Sequence, residues 1–240
     1  MSSHRQTFNI GLNVTGMVLP MLAGVVTVPG LLHRLGEERF GILALGWALV
    51  GYFGFLDLGM GRALTQYLAS ADQAGVSRQE QATVACAARR LLGGLSLGMA
   101  LLLWLLLPWL ASFVQMPADL RAQTLATTPL LALAVPLAMW FACSTGVLEA
   151  RSRFAVVNSV RIPTGVGNFV APWLVSLFTA DLFWVIASLL VVRLAGALGM
   201  AWWARPEFAQ PAPRWPSAGI RQLMRFGGWM TVSNLVGPVM

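Results

Sequence analysis

FGILALGWALVGYFGFLDLGMGRALTQYLA, residues 40–69, sets the fold class of this chain. The stretch is apolar throughout except for Asp57 and Arg62. It is long enough to cross a bilayer, which takes about 20 residues of helix. An ionisable side chain at bilayer depth costs roughly 2.5 to 3.5 kcal/mol on insertion scales, so its presence calls for a partner or a water-filled cavity. Asp57 and Arg62 lie about 140° apart on a 3.6-residue helix, so they share no face unless Gly59 and Gly61 distort the turn.

The whole chain has the same character. Of its 240 residues 57% are hydrophobic and 10% are charged. That is too little polar surface to cover a water-soluble domain. The net charge of +7 does not point to nucleic acid, because all 16 basic residues are Arg and most flank apolar runs instead of clustering on one face. Cys86 and Cys143 lack metal-ligand spacing, and we expect neither a disulfide nor a metal or other cofactor.

On either side of residues 40–69, further apolar runs occupy about 8–32, 89–113, 124–148, 155–179 and 182–203, with another beginning at 223. The first is too long, and too interrupted by Asn9, Asn13, Thr15 and Pro20, for a cleavable signal. The reading is therefore an all-α integral membrane protein: a six-helix lobe over 1–203, a Pro-rich linker over 204–222, and the start of a second lobe over 223–240. Arg5 and Arg221 open two stretches that share Arg, Gln, Gly and Thr in register, consistent with a parallel repeat. Because Met240 falls inside an apolar run, the sequence reads as a partial chain.

Arginine sets the orientation. The N-terminus and the second, fourth and sixth loops carry Arg5, Arg78, Arg89, Arg90, Arg151, Arg153, Arg205, Arg214, Arg221 and Arg225, whereas the alternate loops carry only Arg34, Arg39 and Arg121. The positive-inside rule then puts the N-terminus in the cytoplasm of a multi-pass inner-membrane protein. Arg62, Arg161 and Arg193 remain within spans.

Those three and two neighbours are the candidate site residues. Arg193 is eleven residues past Leu182. At the rise of a helix that is about 17 Å into a hydrocarbon core about 30 Å thick. It is therefore expected at the midplane, facing a cavity or pairing with Asp57. Asn158 and Arg161 are three apart, hence on one face of the fifth span, near Pro163. Arg62 sits near the inner interface, where snorkelling competes with a substrate role.

Residues 34–69, the stretch EARSRFAVVNSVRIPTGVGNFVAPWLV at 149–175, and RFGGWMTVSNLVGPVM at 225–240 resemble the bacterial oligosaccharide flippases, or polysaccharide biosynthesis and export proteins, of the multidrug, oligosaccharidyl-lipid and polysaccharide exporter superfamily. The resemblance implies a two-lobe transporter with a central cavity. Its substrate would be an undecaprenyl-diphosphate-linked oligosaccharide carried from the cytoplasmic to the periplasmic leaflet, with membrane lipids and polysaccharide polymerase machinery as partners. Asp57, Arg62 and Arg161 fall in the resembling stretches, whereas Arg193 rests on depth alone. A multidrug cation antiporter and a lipid II flippase are the rival transporters. A membrane enzyme is the rival of another class, but it would need a sizeable polar loop or a cluster of acids, and neither is present.

Overall fold

The computed structural model describes residues 3–55, 60–113 and 117–209, with side chains described from Thr15 to Ala48 and from Gly61. Asp57, most of the Pro-rich linker and the run from 223 lie outside the described residues, and with them the repeat and the proposed Asp57 pairing. Within the described residues the helices are α1 (Ser3–Phe55), α2 (Met60–Gln73), α3 (Arg78–Ala111), α4 (Ala118–Ala150), α5 (Phe154–Ser176) and α6 (Leu182–Ala204). A short 3-10 turn, Arg205–Phe208, follows, and no strand occurs among them. Four stretches are long and apolar enough to cross a membrane: Thr15–Ala48, Arg78–Ala111, Ala118–Ala150 and Leu182–Phe208.

Glycine contacts give the directions of the helices. A side chain added at Gly16 would meet Asn158 and Ile162, at Gly24 Phe169, and at Gly30 Trp173, so the first half of α1 runs parallel to α5. Gly46 faces Leu131 and Gly146 faces Gly61, so the second half of α1, continued by α2, runs parallel to α4. Gly167, Gly196 and Gly199 face Val192, Thr164 and Val160, making α5 and α6 antiparallel. The Leu182 N–H approaches Gln123 Oε1 at 3.4 Å, and Leu130 and Leu131 share a void with Leu189 and Leu190, so α4 and α6 run parallel. It follows that α4 opposes α5 and that the two halves of α1 oppose each other.

The reversal falls at Gly36, where φ is 78° and ψ is 165°. Only glycine adopts such a conformation at low cost, so the loop expected between the first two spans is reduced to one non-helical residue. Small residues serve the packing elsewhere, because in a bilayer helices associate through close contact and shared hydrogen bonds. At the α2–α4 crossing the Thr65 hydroxyl lies 3.0 Å from the Gly61 carbonyl and 2.9 Å from that of Gly146, bridging two backbones where neither has a side chain.

These directions gather the chain's turns at two ends. Arg34, Arg39 and Arg121 lie at the end of the Gly36 turn, while Arg78, Arg151, Arg153 and Arg205 lie at the other, as the loop count from sequence required. Leu31, Leu35, Leu43, Leu182, Val185 and Ile186 form the core of the first end. Leu64, Leu68, Val147, Leu148 and Met200 belong to the core near the Arg-rich end.

Two boundaries differ from the sequence reading. Helix α3 starts at Arg78 and not near 89, because Gln81–Ala88 are buried in the lobe as helix although too polar or too small to read as a span. Beyond Ser96 α3 leaves the core, and Leu97, Leu101, Trp104 and Leu105 are exposed, as suits contact with lipid. The linker, expected to be extended from residue 204, instead opens with the 3-10 turn. Phe208 is buried there beneath the Arg89 guanidinium, 4.3 Å from the ring centroid, and its carbonyl accepts from Cys86 Sγ at 3.3 Å.

Candidate functional site

The candidate side chains do not converge on one chamber. Arg62 occupies the first turn of α2, where its neighbours Gly61, Ala63 and Leu64 are buried and pack toward α4. That packing leaves Arg62 exposed on the opposite side, with no ion pair among the described residues.

Asn158 and Arg161 were expected to act from one face of α5. They are about 60° apart around the helix, and that angle is enough to send them to different neighbours. Asn158 is 1% exposed and turns to α1, where a side chain at Gly16 would come within 3.2 Å of its Oδ1. Arg161 turns to the end of α4, its Nη2 donating to Glu149 Oε1 at 2.7 Å. The guanidinium is thus already balanced by a carboxylate. Asn168, two turns further along α5, keeps a buried Oδ1 for which no donor appears among the described residues.

Arg193 is the contrasting case. It lies midway along α6, where α1, α4 and α6 meet around Gly46, Trp47, Leu130, Leu131 and Ala134. No hydrogen bond or ion pair joins Arg193 to a described residue, and the buried Trp47 Nε1 has no acceptor among them. The void that they border holds about 10 Å³, room for about one water and no more. That void is too small for a substrate, and the rest of the Arg193 side chain is half-buried.

Sequence reasoning missed a polar cluster at the Arg-rich end. Arg151 caps α4, and three neighbours reach its guanidinium: Nε donates to Glu207 Oε2 at 2.8 Å, Nη2 to Gln81 Oε1 at 2.8 Å, and Nη1 lies 3.6 Å from Asp72 Oδ1. Asp72 also pairs with Arg78 at 3.1 Å. Gln81 in turn donates to the Val76 carbonyl at 2.8 Å. One guanidinium therefore ties the end of α2, the start of α3, the α4–α5 turn and the 3-10 turn. The local signal was only Glu149 and Arg151 beside a turn; the partners come from 56 and 70 residues away.

Eight of the nine acidic residues are described, and they have a matching distribution. Among the described ones, Glu37 and Glu38 follow Gly36, Asp119 and Asp181 open α4 and α6, and Asp72, Glu80, Glu149 and Glu207 lie at the Arg-rich end. The middle of the bundle, among the described residues, holds the Arg193 cation and no carboxylate. Cys86 and Cys143 are free and buried in one core cluster.

Apolar helices crossing through glycine contacts, polar turns gathered at two ends and lipid-facing leucines between them define a multi-pass α-helical membrane protein. The chain belongs to the polysaccharide biosynthesis protein family, which it matches over residues 7–240. A Shigella flexneri protein named as an O-antigen transporter is 26% identical over 228 residues, covering 95% of this chain and 54% of its own length. The fold is shared with a MOP superfamily transporter from Pyrococcus furiosus, at a TM-score of 0.74 and 13% identity over 96% of this chain and 53% of that one. It is shared also with a MATE protein solved in complex with Br-NRF, at a TM-score of 0.73 and 16% identity over 98% of this chain and 54% of the other. The chain spans about half the length of each of these relatives.

Proposed function

We propose that this chain forms one lobe of a flippase that carries an undecaprenyl-diphosphate-linked oligosaccharide from the cytoplasmic to the periplasmic leaflet of a bacterial inner membrane, for surface polysaccharide synthesis. Membership of the polysaccharide biosynthesis family supports the class of substrate. The observation that carries the charge of the cargo is Arg193, a midplane guanidinium with no described carboxylate to neutralise it. A guanidinium stays charged at any physiological pH and grips phosphate oxygens through two parallel hydrogen bonds. Holding it unpaired in apolar surroundings is costly, and that cost is recovered when a diphosphate enters.

On this reading residues 1–203 are the six-helix lobe and 223–240 begin the next, with the N-terminus cytoplasmic by the positive-inside rule. The route of the cargo across the membrane then passes Arg193. Arg62 and Asn158 are secondary candidates along the same route, and Asp57 is a candidate ion-pair or coupling group. Arg161 serves the α4–α5 junction through Glu149 before it serves any substrate. A multidrug cation antiporter of the same fold would instead need acids at mid-depth. A lipid II flippase would use the same cationic chemistry on a different sugar.

Complementation tests this reading. The full-length gene product is expressed in a bacterium lacking its own repeat-unit flippase, and surface polysaccharide is scored for the native protein, Arg193→Ala and Arg193→Lys. Rescue by the native protein with loss in Arg193→Ala, at equal membrane abundance, is expected. Full rescue by Arg193→Ala would remove Arg193 from cargo recognition.

A further inference from the structure

Where α3 passes out of the core, one of its faces is grooved. Arg90, Gly94, Gly98 and Leu102 follow at steps of four and so share a face of the helix. A side chain added at Gly94 or Gly98 would meet nothing within 4 Å among the described residues. The two glycines floor a groove of about 700 Å³ that Leu95, Met99 and Leu102 also line, with Arg90 at the end nearer the Arg-rich turns. From Arg90 to Leu102 is twelve residues, or about 18 Å of helix. One leaflet supplies half of a hydrocarbon core about 30 Å thick, so the groove has the reach of a single acyl chain.

Charge says what fills it. Arg89 is taken up by the Phe208 ring, 4.3 Å from its centroid, whereas Arg90 is exposed and makes no ion pair among the described residues. Of the acids at this end, Asp72, Glu149 and Glu207 are held by Arg78, Arg151 and Arg161. Residues 210–240, which follow the described chain at Ala209, contain Arg214, Arg221 and Arg225 and no acid, so they bring Arg90 no counter-charge. A second copy inserted the same way in the membrane and paired through this face about a twofold axis would set Arg90 against Arg90, and like charges oppose that pairing. An anionic lipid answers both demands at once, with a phosphate for the guanidinium and a chain for the apolar floor.

We propose that this groove binds one anionic phospholipid from the leaflet at the Arg-rich end, its phosphate against the Arg90 guanidinium and one acyl chain along Gly94 and Gly98. A zwitterionic lipid offers the same chain, but its own cation offsets the phosphate, so the site prefers the anionic head group. The inference needs only that α3 crosses the membrane and does not depend on the flippase reading.

The test uses the full-length protein in detergent, titrated with phosphatidylglycerol or with phosphatidylcholine of the same chains, and bound lipids are counted by native mass spectrometry. The first lipid bound is expected to be phosphatidylglycerol, held about fivefold more tightly than phosphatidylcholine. Arg90→Gln should erase that preference while phosphatidylcholine binds as before. Gly94→Leu with Gly98→Leu fills the groove without meeting a described neighbour and should weaken both lipids at an unchanged melting temperature. Equal affinity for the two lipids in the native protein, or undiminished phosphatidylglycerol binding in either variant, would overturn the proposal. So would a dimer that the filled groove splits, which gives this face to a second copy. A fall in melting temperature on filling the groove gives it to another part of the chain, with the same consequence.

Discussion

Arg151, the C-cap of α4, and Arg193, midway along α6, are both half-buried arginines, but Arg151 stands among a carboxylate at 2.8 Å, an amide oxygen at 2.8 Å and a second carboxylate at 3.6 Å. Arg193 stands among glycine, tryptophan, leucine and alanine. The same side chain thus meets opposite surroundings in two places. Where acids can be gathered from several helix ends, a guanidinium fastens the structure. Where no acid among the described residues comes within reach, the guanidinium makes no ion pair with them.

The largest expected effect comes from breaking the fastened one. Arg151→Ala strands Glu207 and Gln81 at once. Truncating one partner of a buried pair costs roughly 3 to 5 kcal/mol. Asp72 is 47% exposed and can rehydrate. We therefore expect the lower end, about 3 kcal/mol, read as a drop in the melting temperature of the detergent-solubilised protein. A loss below about 0.5 kcal/mol would erase the contrast between the two arginines.

Arg193→Met should act in the opposite direction. Removing a guanidinium that has no described partner from mid-depth relieves an insertion cost of about 2.5 kcal/mol, so thermal stability should hold or rise while surface polysaccharide falls. Destabilisation by this change would mean that Arg193 is fastened after all, and the contrast would fail. The smallest effect is expected at Arg161. Its pair with Glu149 is partly exposed, at 40% and 28% for the two side chains. Arg161→Gln should therefore cost less than about 1 kcal/mol in the same melting assay. A cost as large as that of Arg151→Ala would show the α4–α5 junction to be a second fastening point.

Much of the architecture was legible because membrane helices announce themselves by length and polarity. The start of α6 at Leu182 and the segregation of arginine to alternate turns were readable from residues alone. The helical start of α3 was not, since Arg78–Ala88 is polar at first and then built of small residues, too short a run to read as a span, and Gln81–Ala88 are buried only because the other helices cover them. Nor was the Gly36 reversal readable: one glycine inside a charged stretch carries no local sign that it will take a positive φ.

The candidate site divides in the same way. Arg193 was singled out by depth, which is a one-dimensional property that a count of residues supplies. The pairings of Arg151 and Arg161 are three-dimensional, set by which helix ends share a corner, and no spacing rule links position 151 to 81 or to 207. Asn158 and Arg161 make the point within one turn of helix: their spacing placed them near each other, but the neighbours α1 and α4 sent them apart.

That this protein lives in a membrane, which runs are apolar and which turns gather at one end could all be read along the chain, because hydrophobic length and arginine bias act locally. Which charges hold helices together followed from the packing alone. Neutralisation requires an oxygen within about 3 to 4 Å, and that distance is fixed by contacts between residues far apart in the chain.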